Sequence, residues 1–146
     1  MTPITYEAEL RPESRAGILE GLVAFNRSQN PDWAGPRAEI GLLLKHPETD
    51  AVEGGLTARI GFGWMFIEYL FVPERLRGEG LGKRLMAQAE TKAREQDCTG
   101  IWLDTFSFQA RPFYEKLGFT VFGEIGDYPP GKSRFFLQKR LGRSEA

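Results

Sequence analysis

The chain has 146 residues, 41% of them apolar and 27% charged, which suits one compact domain spanning 1–146 with a sizeable core. Its net charge of −1 argues against a general nucleic-acid binder, which needs a basic surface to neutralise phosphates. A single cysteine, Cys98, and a single histidine, His46, exclude an intrachain disulfide and argue against a His/Cys metal site or a His-dependent nucleophile. No apolar run reaches the roughly 18 residues that cross a bilayer, and the opening MTPITYEAELRPES lacks the build of a signal peptide. A cytoplasmic protein without membrane partners is therefore expected.

Residues 3–10 alternate weakly and read as an edge strand. Residues 12–28 carry Ile18, Leu19, Leu22, Val23 and Phe25 at helical spacing. After a loop over 29–37, residues 38–45 and 51–61 read as strands around a turn at His46–Asp50. Residues 62–72 (FGWMFIEYLFV) form a long, nearly uncharged run that reads as a central strand. Residues 80–96 are a helix with Leu81, Leu85, Ala89 and Ala93 on one face. Residues 100–106 read as a buried strand. Residues 109–117 form a short helix closed by Gly118, and 119–126 and 133–140 are two final strands. The order β-α-β-β-β-α-β-α-β-β predicts an α/β domain with helices covering a mixed, largely antiparallel sheet.

The segment between the long strand and the second helix carries the most chemistry. Residues 70–82 read LFVPERLRGEGLG. An apolar strand ends in a proline turn, then Arg77-Gly78-Glu79-Gly80-Leu81-Gly82 opens a helix. Glycines there would let a phosphate or pyrophosphate approach the backbone N–H groups at the helix mouth. A P-loop is excluded, since Gly82-Lys83 is followed by Arg84 and Arg77 stands where the first glycine belongs. A dinucleotide fingerprint fails as well, because the third glycine comes one residue early and the alternating βαβ pattern is missing.

Arg77-x-x-Gly80-x-Gly82, with Val72-Pro73-Glu74 before it, resembles the acyl-CoA motif of the GNAT superfamily of N-acetyltransferases, Arg/Gln-x-x-Gly-x-Gly/Ala. The order of elements resembles that family from about residue 4 to residue 141. The resemblance implies a GNAT-like fold and acetyl-CoA as cosubstrate, with no metal. It implies that amides of Arg77, Gly78, Glu79, Gly80, Leu81, Gly82 and Lys83 hold the CoA pyrophosphate. The strand end Leu70, Phe71 and Val72 would pair with the pantetheine arm.

A second segment, SFQARPFYEKLGF (107–119), resembles the family's Asn-x-x-Ala-x-x-x-Tyr followed by Gly-Phe. Ala110, Tyr114, Gly118 and Phe119 fit, while Ser107 replaces the Asn and would reach the pantetheine less far. Pro112 has no N–H, so it belongs in a first helical turn, which sets the start near Gln109. By the resemblance, Tyr114 lies near the CoA sulfur and protonates the leaving thiolate. Read alone, Tyr114 is better taken as an ordinary core aromatic beside Phe113.

An amine acceptor must lose a proton before it attacks a thioester. Glu68 is the only carboxylate between Phe62 and Val72, and strand alternation puts it on a face with Trp64, Phe66, Leu70 and Val72. Partial desolvation there would raise its pKa towards neutrality, which makes it the candidate base. The alternative is that Glu68 pairs with an arginine and holds the sheet. Asp104 is a second candidate, and Glu124 and Asp127 would add a negative field around the turn at 127–132. Cys98 reads as a small packed residue.

The expected function is transfer of the acetyl group of acetyl-CoA to a primary amine of a small molecule, by direct attack in a ternary complex. A protein lysine or N-terminus as acceptor, and a non-catalytic acyl-CoA sensor, remain open as alternatives. By analogy with the superfamily, and because the terminal strands offer edges for pairing, a homodimer is open too.

Overall fold

The computed structural model describes residues 1–33 and 37–142. The chain divides into two compact units, Met1–Gly35 and Pro36–Ala146, where the sequence reads as one domain.

In the first unit, helix α1 spans Pro12–Gln29 and a 3-10 turn covers Pro31–Trp33. The edge strand expected over 3–10 does not form. Glu7 turns back instead and caps the helix start. Its carboxylate accepts from the Arg11 amide at 3.2 Å and from the Ser14 hydroxyl at 2.8 Å. Those bonds satisfy donors at a helix N-terminus that has no cap from Arg11 itself. The Ser14 hydroxyl first, then the Arg11 amide, hold the Glu7 carboxyl below the usual carboxylate range. The helical spacing is as read, but no residue of α1 is buried.

The second unit is built on a six-stranded sheet. Its strands are β1 (Ala38–Lys45), β2 (Val52–Gly61), β3 (Trp64–Phe71), β4 (Gly100–Phe106), β5 (Thr120–Gly126) and β6 (Ser133–Arg140). They lie in the order β1-β2-β3-β4-β6-β5, and every neighbouring pair is antiparallel except β3–β4. Helix α2 (Leu81–Glu95) follows β3, and helix α3 (Arg111–Lys116) follows β4. The long run at 62–72 is thus shorter than its hydrophobicity suggests. Phe62 and Gly63 both take positive φ (51° and 77°) and form the β2–β3 turn.

The core lies between the sheet and α2. Leu56, Ala58, Ile60, Met65, Ile67, Ile101, Leu103 and Leu137 point to it from the strands, and Leu85, Met86, Ala89 and Ala93 from the helix. The face of α2 is as expected except that Met86 is buried and Leu81 only half-buried. Cys98 joins this core, and burial chiefly pushes its thiol above the usual range. Gly100 marks the tightest point. A Cβ there would stand 2.6 Å from the Trp64 ring and 2.8 Å from the Lys139 carbonyl oxygen.

Candidate active site

The parallel joint between β3 and β4 holds only over Trp64–Ile67 against Gly100–Leu103. Beyond it the two strands continue without pairing to each other. The cause is a β-bulge. On the β2 side, Thr57 is opposite Tyr69 while Ala58 is opposite Ile67, so Glu68 is an extra residue in β3. A bulge bends its strand and raises the local twist. β4 meanwhile stays paired with β6 as far as Phe106 opposite Arg134. A wedge therefore opens between Glu68–Phe71 and Asp104–Phe106, with backbone groups of both strands facing it unpaired by the sheet.

The bulge also corrects the expected alternation. Glu68 shares a face with Trp64 and Phe66, as read. Leu70 and Val72 do not, because the extra residue shifts the phase, and they pack against the core with Met65 and Ile67. Phe71 is exposed.

The glycine segment sits where β3 ends. A 3-10 turn over Glu74–Leu76 leads to Gly78 (φ 88°) and to Gly80 (φ 74°), the N-cap of α2. Both left-handed positions favour glycine, and nothing lies within 4 Å of where a Cβ would be at either. That open space, together with an α2 N-terminus that has no side-chain cap and no acidic residue in its first turn, fits an anionic group. Gly82 serves another purpose, since its Cβ would stand 3.4 Å from the Phe113 ring, so it seats α3 against α2. Arg77 folds back, its Nε donating to the Val72 carbonyl oxygen at 3.1 Å, and ties the segment to the strand end. Glu79 and Lys83 are exposed. Lys83 also borders a recess of about 110 Å³ on the core side of the sheet.

On the β4 side, Ala110 is the N-cap of α3, which begins at Arg111 rather than near Gln109. The Gln109 side chain is occupied in closing the end of β4, accepting from the Phe106 amide at 2.8 Å and the Thr105 hydroxyl at 3.1 Å. The Ser107 hydroxyl accepts from the Ser133 amide at 3.1 Å and keeps its own proton free to donate. Gly118, at φ 95°, ends α3 as expected. Tyr114 is buried against Phe113 and Phe119, edge to face with each. Its hydroxyl makes no hydrogen bond among the described residues. Burial first, and the charge of Asp104 second, push the phenol above its usual range.

Glu68 is neither bare nor deeply enclosed. Its side chain is 32% exposed, lies 3.8 Å from the Arg59 guanidinium and accepts from the Thr57 hydroxyl at 3.4 Å. Asp104 is paired more closely. Arg134 donates to the Asp104 Oδ1 through Nε at 3.0 Å, with Nη2 2.8 Å from the same oxygen, and through Nη1 to the Tyr128 hydroxyl at 2.8 Å. The hydrogen bond to Asp104 chiefly holds Arg134 above its already high range. Asp127 accepts from the Gly131 amide at 3.1 Å, so it shapes its own turn. The sequence reading missed Arg59, Trp102 and Arg134. Strand alternation puts each on the face away from α2, but only the sheet register sets them beside Glu68, Phe66 and Asp104.

Both strand ends, the glycine segment and the start of α3 therefore meet at the carboxyl end of the one parallel pair, where open α/β sheets bind ligands. The sequence matches the Acetyltransferase (GNAT) family over residues 9–119. The chain belongs to the GNAT acetyltransferase family. Acetyltransferase Atu2258 of Agrobacterium fabrum is 34% identical over 88% of this chain and 92% of its own. Blasticidin-S acetyltransferase of Streptomyces morookaense is 40% identical over 64% of this chain and 70% of its own. A crystal structure described as an acetyltransferase from Agrobacterium tumefaciens superposes with a TM-score of 0.88 at 31% identity, covering 96% of this chain and all of that one (100%). A Bacillus anthracis structure, described as a streptothricin acetyltransferase in complex with acetyl coenzyme A, gives a TM-score of 0.59 at 26% identity over 75% of this chain and 65% of its own. This GNAT protein is an acetyl-CoA-dependent acetyltransferase. No helix among its described residues is long and apolar enough to cross a membrane.

Proposed function

We propose that this GNAT enzyme transfers the acetyl group of acetyl-CoA to a primary amine of a small molecule, by direct attack in a ternary complex. The observation that carries the reading is the wedge between β3 and β4, and the roles assigned here to Tyr114 and Glu68 belong to the reading. The names of the blasticidin-S and streptothricin relatives favour a small-molecule acceptor over a protein one.

In this reading the amides around Arg77–Lys83 hold the CoA pyrophosphate at the α2 N-terminus. Free backbone groups of Leu70–Val72 pair with the pantetheine arm, and Ser107 and Ala110 border it from the other side. The ammonium of the acceptor gives a proton to Glu68, directly or through water, and its nitrogen attacks the thioester carbonyl carbon. A backbone N–H near Leu70–Val72 steadies the oxyanion. The C–S bond then breaks, and sulfur leaves with the proton of Tyr114. As the adduct collapses, its nitrogen gives up a second proton, which returns to the Tyr114 phenolate; the products are an N-acetyl amide and free CoA, and Glu68 releases its proton to solvent as the one net proton of the reaction.

The test is a thiol-release assay with acetyl-CoA and a panel of amines. Acceptor-dependent release that falls in Tyr114→Phe and in Glu68→Gln, the latter less at high pH, supports these roles. Tight acetyl-CoA binding with no release in the presence of any amine would reject the small-amine reading.

A further inference from the structure

The face of the sheet away from α2 carries two arginine–carboxylate pairs, one on each rim of the wedge, and they are built differently. Asp104 and Arg134 form a closed network with Tyr128, and their side chains are only 16% and 25% exposed. Glu68 and Arg59 form an open pair, 3.8 Å apart, with side chains 32% and 54% exposed. Arg59 lies over the Phe66 ring, 5.2 Å from its centroid, and its guanidinium makes no hydrogen bond among the described residues. A guanidinium offers five donors in a planar fork that matches a carboxylate. Next to this pair, Phe66 stacks on Trp102 with ring centroids 4.3 Å apart, a half-buried aromatic pair.

This arrangement suits a plain cationic amine poorly. An ammonium brought to Glu68 comes within reach of Arg59, whose like charge opposes it. An acceptor with its own carboxylate beside the amine removes that conflict, because each of its charges meets an opposite one. We propose that the acceptor is an amino-acid-like zwitterion, its carboxylate bound by Arg59, its amine directed to Glu68, and its apolar body beside the Phe66–Trp102 pair. The proposal rests on the small-amine reading above and narrows it. It also disfavours lysines and N-termini of proteins, whose backbone carboxyl groups are tied up in peptide bonds.

The test compares phenylalanine, phenylalaninamide and phenethylamine, with the matching leucine set in parallel, on wild type, Arg59→Met and Arg59→Lys. Acetyl-CoA binding, measured separately, checks that each variant is folded. Wild type is expected to favour the free amino acids at least tenfold in kcat/KM, the size of one charge-assisted hydrogen bond. Arg59→Met should reduce kcat/KM for the amino acids at least tenfold more than for the amides and amines, through KM, and Arg59→Lys should restore part of it. Equal use of all three acceptor types by wild type, or an equal loss for all three in Arg59→Met, would overturn the zwitterion proposal and leave the small-amine reading standing. No transfer to any acceptor would overturn both.

Discussion

Tyr114 keeps its proton because its ionised form would be buried and would face Asp104. A group in that state can donate a proton but gives one up reluctantly to solvent. Tyr114→Phe retains the ring packing against Phe113 and Phe119 and removes only the donor. Its kcat is expected to fall by roughly 100-fold, the lower range of acid catalysis, with acetyl-CoA affinity unchanged by titration. The same burial has a consequence for stability. The folded phenol titrates above the unfolded one, so its contribution is complete below the ordinary value of 10.0 and is lost as pH rises through the folded value. Tyr114→Phe should therefore flatten the alkaline fall of Tm in that window, and an unchanged alkaline limb would refute this account. Neither consequence could be read from the tyrosine alone. The chain contains four tyrosines, and the packing of α3 sets the burial of this one.

For the elements, two glycines do different jobs, and their substitutions should separate. Gly80→Ala puts a side chain at φ 74° with nothing nearby to strike. Its cost is backbone strain, on the order of 1–2 kcal/mol, and it places a methyl group where an anion would approach. We expect a modest loss of Tm and a clear loss of acetyl-CoA affinity by calorimetry. Gly100→Ala drives a methyl group into the Trp64 ring at the root of the β3–β4 joint. Overpacking of that kind costs about 1–3 kcal/mol, so a loss of Tm is expected even without ligand. The helices and most strands were legible here because their apolar spacing is a local property. The bulge at Glu68 was not, since it exists only as a mismatch of register between β2 and β3. The missing strand over 3–10 has a local cause instead, because Glu7 is spent on capping α1.

Across the whole molecule, binding of acetyl-CoA should stabilise the fold by mass action. At 100 times its Kd the gain is about 2.7 kcal/mol, visible as a rise in Tm that grows with ligand concentration. Gly80→Ala should show a smaller rise than wild type at the same concentration. The glycine segment, the Tyr114 segment and the mixed sheet were all present in the order of residues, because a motif that meets a phosphate through backbone amides needs glycine at set positions. Glu68 was legible as a lone carboxylate in an apolar strand. Its partner was not, since Arg59 lies nine positions earlier on another strand and reaches it only through the pairing of β2 with β3. Arg134 and Asp104 are likewise far apart in the chain and adjacent only through β4–β6 pairing. By itself, then, the sequence determined the elements, the acyl-CoA motif and the family resemblance, which depend on local spacing. The tertiary structure decided where the strands part, which carboxylate is open and which is closed, and which arginine stands beside Glu68, because those depend on register between distant strands.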